Sequence, residues 1–228
     1  MRDYKRFDEH LDQLTGDVYA QPPDPAHTEW AKQVVSGYCT TAHGVSNVLD
    51  VGCGQGFLAE EFESIGLDWT GVTIGEDYRI CKEKKLNVRE SDMSFLPFKD
   101  GEFGLVFARH VLEHSPFPII TLMEWRRVCS GWLVLVAPGP DYWGWGGKNH
   151  YSVMSADQLG WLLKRAGWSA IHASQFTNRD PAFIKHWKVY QQALFEGGEK
   201  GAQEVFDANP KVDVEYRMML EKVEPQLE

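Results

Sequence analysis

The chain has 228 residues, of which 43% are hydrophobic and 25% charged, and its formal net charge is −10. This composition indicates a globular protein with a substantial core, and the negative charge argues against a broad nucleic-acid-binding surface, which needs clustered Lys and Arg. The longest strongly apolar run, Trp132 to Ala137, is too short to span a bilayer. The polar start predicts no secretory signal. We therefore expect a cytoplasmic protein with no membrane partner.

The first 40 residues are expected to form a helical appendage outside the main domain. A short helix is predicted near residues 5–14, followed by a proline-rich crossing at 21–25. A second helix is predicted from Glu29 to Tyr38, with Thr28 as its N-cap. Whether this appendage covers a ligand site or only packs on the domain stays open at this point.

A glycine-rich turn organises the next part of the chain. The apolar run Val48 to Val51 reads as a buried parallel strand, and Gly52, Gly54 and Gly56 follow at alternating positions before an amphipathic helix over residues 57–65. Glycines allow positive φ and let a ligand approach the backbone, while the first N–H groups of the helix are available to polar ligand atoms. The pattern therefore predicts a ligand site at the end of the first strand.

Alternating strands and helices continue to about residue 176. Strands are predicted at 69–74, 86–90, 103–108, 132–138 and 168–176, and helices at 78–85 and 156–166. Residues 41–180 are thus expected to form the main α/β domain, and residues 181–228 a C-terminal helical extension. The cysteines, which are Cys39, Cys53, Cys81 and Cys129, contain no C-x-x-C pair and fit free thiols in a reducing cytosol.

The spacing D-x-G-x-G-x-G at residues 50–56 resembles the first motif of the class I S-adenosylmethionine-dependent methyltransferases. Asp92 followed by L-P-F at 96–98 resembles a later motif of the same family, in which an Asp accepts a hydrogen bond from the adenine amino group. The resemblance is to the small type 11 group and covers residues 48–138, extending loosely to about 176. It implies a doubly wound, mostly parallel Rossmann-like sheet of six or seven strands with helices on both faces.

The resemblance also implies S-adenosyl-L-methionine as methyl donor, S-adenosyl-L-homocysteine as product, and a small-molecule acceptor. In this family the N-terminal region often forms a lid over the cofactor. The residues expected to bind the cofactor are Asp50, Gly52, Cys53, Gly54, Gly56, Thr73, Ile74, Asp92, Met93, Ala108 and Arg109.

Three departures from the family pattern stand out. Thr73 occupies the position of the acid that commonly binds the ribose hydroxyls, and Glu76 could fold back in its place. Gly104 stands where an Asp is usual, and the turn after the fifth strand is about two residues shorter than usual. No seventh strand is apparent, although the family normally inserts one beside the fifth.

Methyl transfer to a hydroxyl, thiol or protonated amine is helped by a general base. His110 and His114 follow the fourth strand and His150 follows the fifth, at the edge of the sheet where ligands bind, so these three are the candidate bases. The residues expected to contact the acceptor are Trp143, Trp145, Asn149, His150 and Tyr151.

The stretch from His110 to His114 also matches the H-x-x-E-H pattern of inverted zinc proteases. It resembles more closely the E-x-x-E-H of some methyltransferases of polyprenylated phenols, which bind a divalent ion; His110 would replace the first glutamate. The expected role of Glu113 and His114 is to begin a helix and line the pocket, without a metal.

Two other functions remain open. A non-catalytic S-adenosylmethionine-binding module would fit the departures at Thr73 and Gly104. A nucleic-acid methyltransferase is disfavoured, because the [DN]-P-P-[YF] quartet of the amino-group enzymes is replaced by Ala108 to Val111. A nicotinamide oxidoreductase is disfavoured by the even spacing of the glycines.

Overall fold

The computed structural model describes residues 4–16, 18, 25–140, 149–177 and 214–224. A seven-stranded sheet with the order β3-β2-β1-β4-β5-β7-β6 forms its centre. Its strands are β1 (Asn47–Val51), β2 (Asp68–Thr73), β3 (Val88–Glu90), β4 (Phe103–Arg109), β5 (Cys129–Pro138), β6 (Trp168–Thr177) and β7 (Val214–Lys222). The first five strands pair in parallel, and β7 runs antiparallel to both of its neighbours. The expected doubly wound sheet is confirmed.

Helices cover both faces of the sheet. They are α1 (Tyr4–Thr15), α2 (Pro25–Tyr38), α3 (Ala59–Ser64), α4 (Gly75–Glu83), α5 (Pro118–Val128) and α6 (Ala156–Arg165), with 3-10 turns at Cys39–Thr41 and Leu112–His114. Alternate residues of the strands enter two separate cores, as Val48 and Leu49 do in β1. Apolar residues of α5 and α6 complete one core, and those of α2, α3 and α4 complete the other.

Two predicted helix starts were wrong by three residues or more. Helix α2 begins at Pro25 rather than after Thr28, because a proline suits the first turn of a helix, where its missing N–H is not needed. Helix α4 begins at Gly75, three residues before the predicted start, and Ile74 is its N-cap. The extra first turn of α4 adds Glu76 and Asp77 to the edge of the sheet where ligands are expected.

The seventh strand, which the sequence did not reveal, lies in the segment predicted as a C-terminal helical extension. β7 inserts between β5 and β6 and pairs with both along its length. The run Met218, Met219 and Leu220 has high helix propensity and no polar alternation, but all three side chains are buried because both faces of this strand are covered. The helical prediction was therefore wrong for residues 214–222, and residues 181–213 and 225–228 of the predicted extension lie outside the described residues.

The glycine at position 104 is explained by packing. A Cβ there would approach Cγ1 of Val45 to 2.8 Å, closer than real side chains come, and the Gly104 N–H donates to Oδ1 of Asn47 at 2.8 Å. An Asp at this position would displace the segment before β1. Within the described ranges, no helix combines the length and the apolar character needed to cross a membrane.

Candidate functional site

A cleft opens at the carboxyl ends of β1, β2 and β4, where open α/β sheets bind ligands. Three loops and the N-terminal helix surround it. The residues that line it are Leu11, Leu14, Val18, Gly52, Gly54, Val72, Thr73, Ile74, Asp77, Ser91, Asp92, Met93, Ser94, His110, Val111, His114, Pro116, Asn149 and Tyr151. Half of the residues predicted from sequence to bind cofactor or acceptor, eight of sixteen, are thus brought together.

The turn after β1 exposes bare main chain to this cleft. Gly52, Gly54 and Gly56 all have positive φ, at 70°, 53° and 74°. The N–H groups of Gly52 and Cys53 both donate to the carbonyl of Val72, which fixes the turn against β2. A Cβ on Gly54 would project into the cleft, where its nearest neighbour is Oδ2 of Asp77 at 4.0 Å. Only glycine leaves that space for a ligand.

Asp77 is the acid of this cleft that sequence reasoning missed. Its side chain is 6% exposed and lines the cleft from the first turn of α4, beside Thr73 and Ile74. Glu76, the predicted substitute for the ribose acid, instead has a half-exposed side chain that pairs with Arg79 at 3.1 Å. A correct start for α4 would have revealed this, because residue 77 then lies one turn from the end of β2.

The loop after β3 forms the opposite wall. Asp92 Oδ1 accepts a hydrogen bond from the Ser94 N–H at 2.6 Å, and the Met93 carbonyl accepts one from Trp125 Nε1 at 3.0 Å. Ser94 continues into a buried chain of hydroxyls with Thr121 and Ser115, at 2.7 and 2.6 Å. This chain links the wall that carries Asp92 to the loop after β4, so both sides of the cleft are held in one network.

Two histidines enter the cleft from the loop after β4. His110 has a φ of 51°, which turns the backbone sharply at the end of the strand. Its Nδ1 lies 3.4 Å from Oε1 of Glu113, whose side chain is only 2% exposed. His114 lies on the same loop, with its Nδ1 3.1 Å from the carbonyl of Asn149. Both rings line the cleft.

The loop after β5 is anchored to the same place. The N–H groups of Tyr151 and Ser152 donate to the carbonyl of Glu113 at 2.7 and 2.9 Å. The His150 ring meets the His114 ring edge to face, with centroids 4.7 Å apart. His150 thus lies behind His114 and is not among the lining residues, while Asn149 and Tyr151 are.

Charge and burial separate the roles of these groups. Burial alone would raise the pKa of Glu113, but the hydrogen bond and charge of His110, together with the charge of His114, hold it below its ordinary value. Burial lowers the pKa of His150 to about 4, with Glu113 opposing and His114 and His110 adding to the shift. At neutral pH the site therefore contains a buried carboxylate and a neutral His150.

Several predicted cofactor residues support the cleft from behind. Asp50 is 3% exposed and accepts a hydrogen bond from Trp69 Nε1 at 3.1 Å. A Cβ on Gly56 would collide with the side chain of Leu86, so this glycine serves packing. The remaining three are buried or end a strand without lining the cleft: Cys53, Ala108 and Arg109. The predicted acceptor residues Trp143 and Trp145 lie outside the described residues.

Comparison with known proteins decides the family. A family profile described as a methyltransferase domain matches residues 24–173, which is about two thirds of the chain. The chain belongs to the methyltransferase family. The predicted class I S-adenosylmethionine-dependent type is confirmed, and S-adenosylmethionine is the cofactor that the family uses.

Curated relatives of this methyltransferase include two named as O-methyltransferases. A malonyl-[acyl-carrier protein] O-methyltransferase of Legionella pneumophila is 29% identical over 120 residues, 46% of this chain and 42% of its own length. A ubiquinone biosynthesis O-methyltransferase of Escherichia coli is 29% identical over 191 residues, 75% and 73% of the two chains. The chain therefore spans less than half of the first relative and about three quarters of the second.

Solved structures show the same fold. A SAM-dependent methyltransferase from Archaeoglobus fulgidus superposes with a TM-score of 0.59 at 18% identity, covering 96% of this chain and all of that one. In the present chain, the residues that line the cleft fit this cofactor. The space beside Gly54 that a Cβ would fill, and the buried carboxylate of Asp77 facing it, form a cradle for a ligand that carries hydrogen-bond donors.

Proposed function

We propose that this methyltransferase transfers the methyl group of S-adenosylmethionine to an oxygen of a small acceptor that carries an apolar part. The observation that carries the proposal is a single cleft that combines the bare backbone at Gly54 with His110 and His114. Both relatives described above carry names that specify an oxygen acceptor, which supports oxygen over nitrogen, carbon or sulfur.

In this proposal the two halves of the cleft have different tasks. Gly52 and Gly54 lie against the cofactor, Asp77 accepts hydrogen bonds from the ribose hydroxyls, and Asp92 with Met93 borders the adenine ring. S-adenosylmethionine, when bound, supplies an electrophilic methyl group that carries its own leaving group. The protein then has to position the acceptor, exclude water and remove a proton.

Of the three candidate bases, His110 is the best placed. Its ring lines the cleft, and Glu113 at 3.4 Å from Nδ1 can orient it and stabilise the proton that it takes up. His150 is a weak base because its pKa is about 4, and it lies behind His114. His114 is engaged at Nδ1 by the Asn149 carbonyl.

Helix α1 and Val18 act as a lid in this proposal, whereas α2 packs into the core through Ala31, Val34 and Val35. Leu11, Leu14 and Val18 line the cleft, which supports a cover over the ligands rather than a packing appendage. The ring of His27, in α2, lies parallel to that of His110, with centroids 6.4 Å apart. An apolar cover of this kind favours an acceptor with an aromatic or aliphatic part and excludes water from the reacting atoms.

The proposal is tested first by binding. Calorimetry with S-adenosylhomocysteine should give one site per chain in the unaltered protein and no measurable binding in Gly54→Val. Gly44→Val is the matched control, because Gly44 also has a positive φ, of 73°, but lies against open space away from the cleft. The control variant carries the same backbone strain and should bind normally. Absence of binding by the folded, unaltered protein would refute the proposal.

Turnover then separates the enzyme from a non-catalytic binding module. Release of S-adenosylhomocysteine is followed with a panel of phenols and carboxylic acids, both free and linked to a carrier as thioesters. His110→Gln should lower kcat by about 10²–10⁴-fold while S-adenosylhomocysteine still binds. Binding without turnover on any acceptor would favour the module, for which the threonine at position 73 is the supporting feature.

We further propose a cytoplasmic location. All four cysteines are free and buried, which fits a reducing compartment. The net charge of −10 supports a small-molecule or carrier-linked acceptor over nucleic acid.

A further inference from the structure

We infer that Glu113, His114 and His150 form a binding site for a divalent cation of the zinc type at the wall of the cleft. One potential ligand atom from each of these residues lies within 4.8 Å of the other two. Glu113 and His114 belong to the 3-10 turn after β4, and His150 to the loop after β5. Two backbone hydrogen bonds to the Glu113 carbonyl join these loops, so the cluster is built by the fold rather than by a chance approach of surface side chains.

The carboxylate of Glu113 has one buried oxygen that can bind a cation. Its side chain is 2% exposed, and Oε1 lies 3.4 Å from His110 Nδ1. Oε2 is buried and accepts no hydrogen bond from any residue that the structure describes. A buried carboxylate oxygen without a donor is costly, and a cation placed between it and the two imidazoles would remove that cost.

The histidine side of the cluster has the outer contacts of a metal site. His114 Nδ1 lies 3.1 Å from the Asn149 carbonyl, and a proton on Nδ1 that is donated to this oxygen leaves the lone pair on Nε2. Metal-binding histidines usually donate their second nitrogen to a carbonyl or carboxylate in this way. His110, which contacts the other oxygen of Glu113, orients the carboxylate and is not itself a ligand in this arrangement.

The donor set selects the kind of cation. Two imidazole nitrogens and one carboxylate oxygen suit Zn²⁺, whereas Mg²⁺ and Ca²⁺ prefer oxygen ligands. Bond lengths of about 2.0–2.1 Å put tetrahedral ligand atoms about 3.4 Å apart, so atoms that now lie within 4.8 Å of one another would draw together by at most about 1.4 Å on binding. Three protein ligands leave a fourth position, and His114 lines the cleft. A cation there could bind an acceptor oxygen, a role that rests on the proposed function, whereas cation binding itself does not.

The test uses the full chain, without a polyhistidine tag and stripped of metal by chelator and dialysis. Calorimetric titration with Zn²⁺ should show one site per chain, and Co²⁺ should produce a visible absorption band as it binds. His114→Gln and His150→Gln should each weaken binding at least about tenfold. His43→Gln, an exposed histidine far from the cleft, should bind as the unaltered protein does.

The outcomes are distinguishable from those of the proposed function. The cation site is refuted if no Zn²⁺ binds, if His43→Gln weakens binding as much as the two cluster variants, or if Mg²⁺ binds more tightly than Zn²⁺. Thermal unfolding of each metal-free variant shows whether it is folded. Gly54→Val should no longer bind S-adenosylhomocysteine but should still bind Zn²⁺, so the loss of one binding site does not imply the loss of the other.

Discussion

We propose that Asp77 supplies, at a new position, the carboxylate that the family pattern places at the end of β2. Helix α4 begins early enough to bring it into the cleft. Asp77→Asn keeps the size of the side chain but removes the charge, so S-adenosylhomocysteine should bind about 10–100-fold more weakly. Calorimetry measures this, with Glu76→Gln as the neighbouring exposed control. Equal losses in both variants would contradict a ribose contact by Asp77.

Asp50 should make stability depend on pH. Burial raises its pKa from 3.8 to about 7, with the Trp69 hydrogen bond and the Arg109 charge acting in the opposite direction. Because the folded-state pKa is above the unfolded one, the stabilising contribution is complete below about pH 4 and is lost as the pH rises to about 7. Between pH 5 and pH 8 this loss is on the order of 2–3 kcal/mol.

Asp50→Asn removes the titrating group. Between pH 5 and pH 8 its free energy of unfolding should therefore fall by about 2–3 kcal/mol less than that of the unaltered protein. Urea unfolding at the two pH values gives the free energies. Asp68→Asn, an exposed acid at the start of β2, is the control and should keep the full pH dependence. The same pH dependence in Asp50→Asn and in the unaltered protein would show that Asp50 does not titrate in this range.

At the scale of elements, α1 is a helix that lines the cleft but buries no described side chain in the core. None of its described side chains is buried, and its Phe7 ring meets those of Phe95 and Phe117 at centroid distances of 6.5 and 5.2 Å. Its contribution to the main core is therefore small. We expect α1 to affect ligand binding rather than the stability of the sheet.

The double variant Leu11→Ala with Leu14→Ala should raise the dissociation constant for S-adenosylhomocysteine about tenfold or more, because it removes apolar surface from the cleft wall. Its thermal midpoint without ligand should stay within about 1 °C of the unaltered protein. Tyr4→Ala, which truncates an apolar side chain that is 66% exposed on the same helix, should change neither quantity. A large fall in the midpoint of the double variant would instead assign α1 to the core.

For the whole molecule, sequence reasoning worked where local backbone demands decide the structure. The three positive-φ glycines after β1 can be inferred from their spacing, and the central strands β1, β4 and β5 from their apolar runs. The position of His110 and His114 at the ligand edge of the sheet follows from the strand before them. These features depend on neighbouring residues only.

Features that depend on distant pairing were missed. β7 has the composition of a helix and becomes a strand because β5 and β6 offer it hydrogen-bond partners on both sides. The Glu113, His114 and His150 cluster needs two loops that are 36 residues apart in sequence to meet. Asp77 was missed because the start of α4 was placed too late. In each case the decisive contact lies outside a local window.

The inserted strand β7 should be part of one cooperative unit with the rest of the sheet. Leu220 is fully buried, and it pairs with Leu133 in β5 and with Ala170 in β6, although it lies beyond the region that matches the methyltransferase family. Leu220→Ala should therefore cost about 2–5 kcal/mol, the same range as Leu133→Ala, and Glu221→Ala on the same strand less than about 1 kcal/mol. Urea unfolding followed by circular dichroism and by tryptophan fluorescence should give one coincident transition in each variant. If β7 were an independent appendage, Leu220→Ala would leave the main transition unchanged, and the fluorescence of the buried Trp125 and Trp168 would not report the substitution.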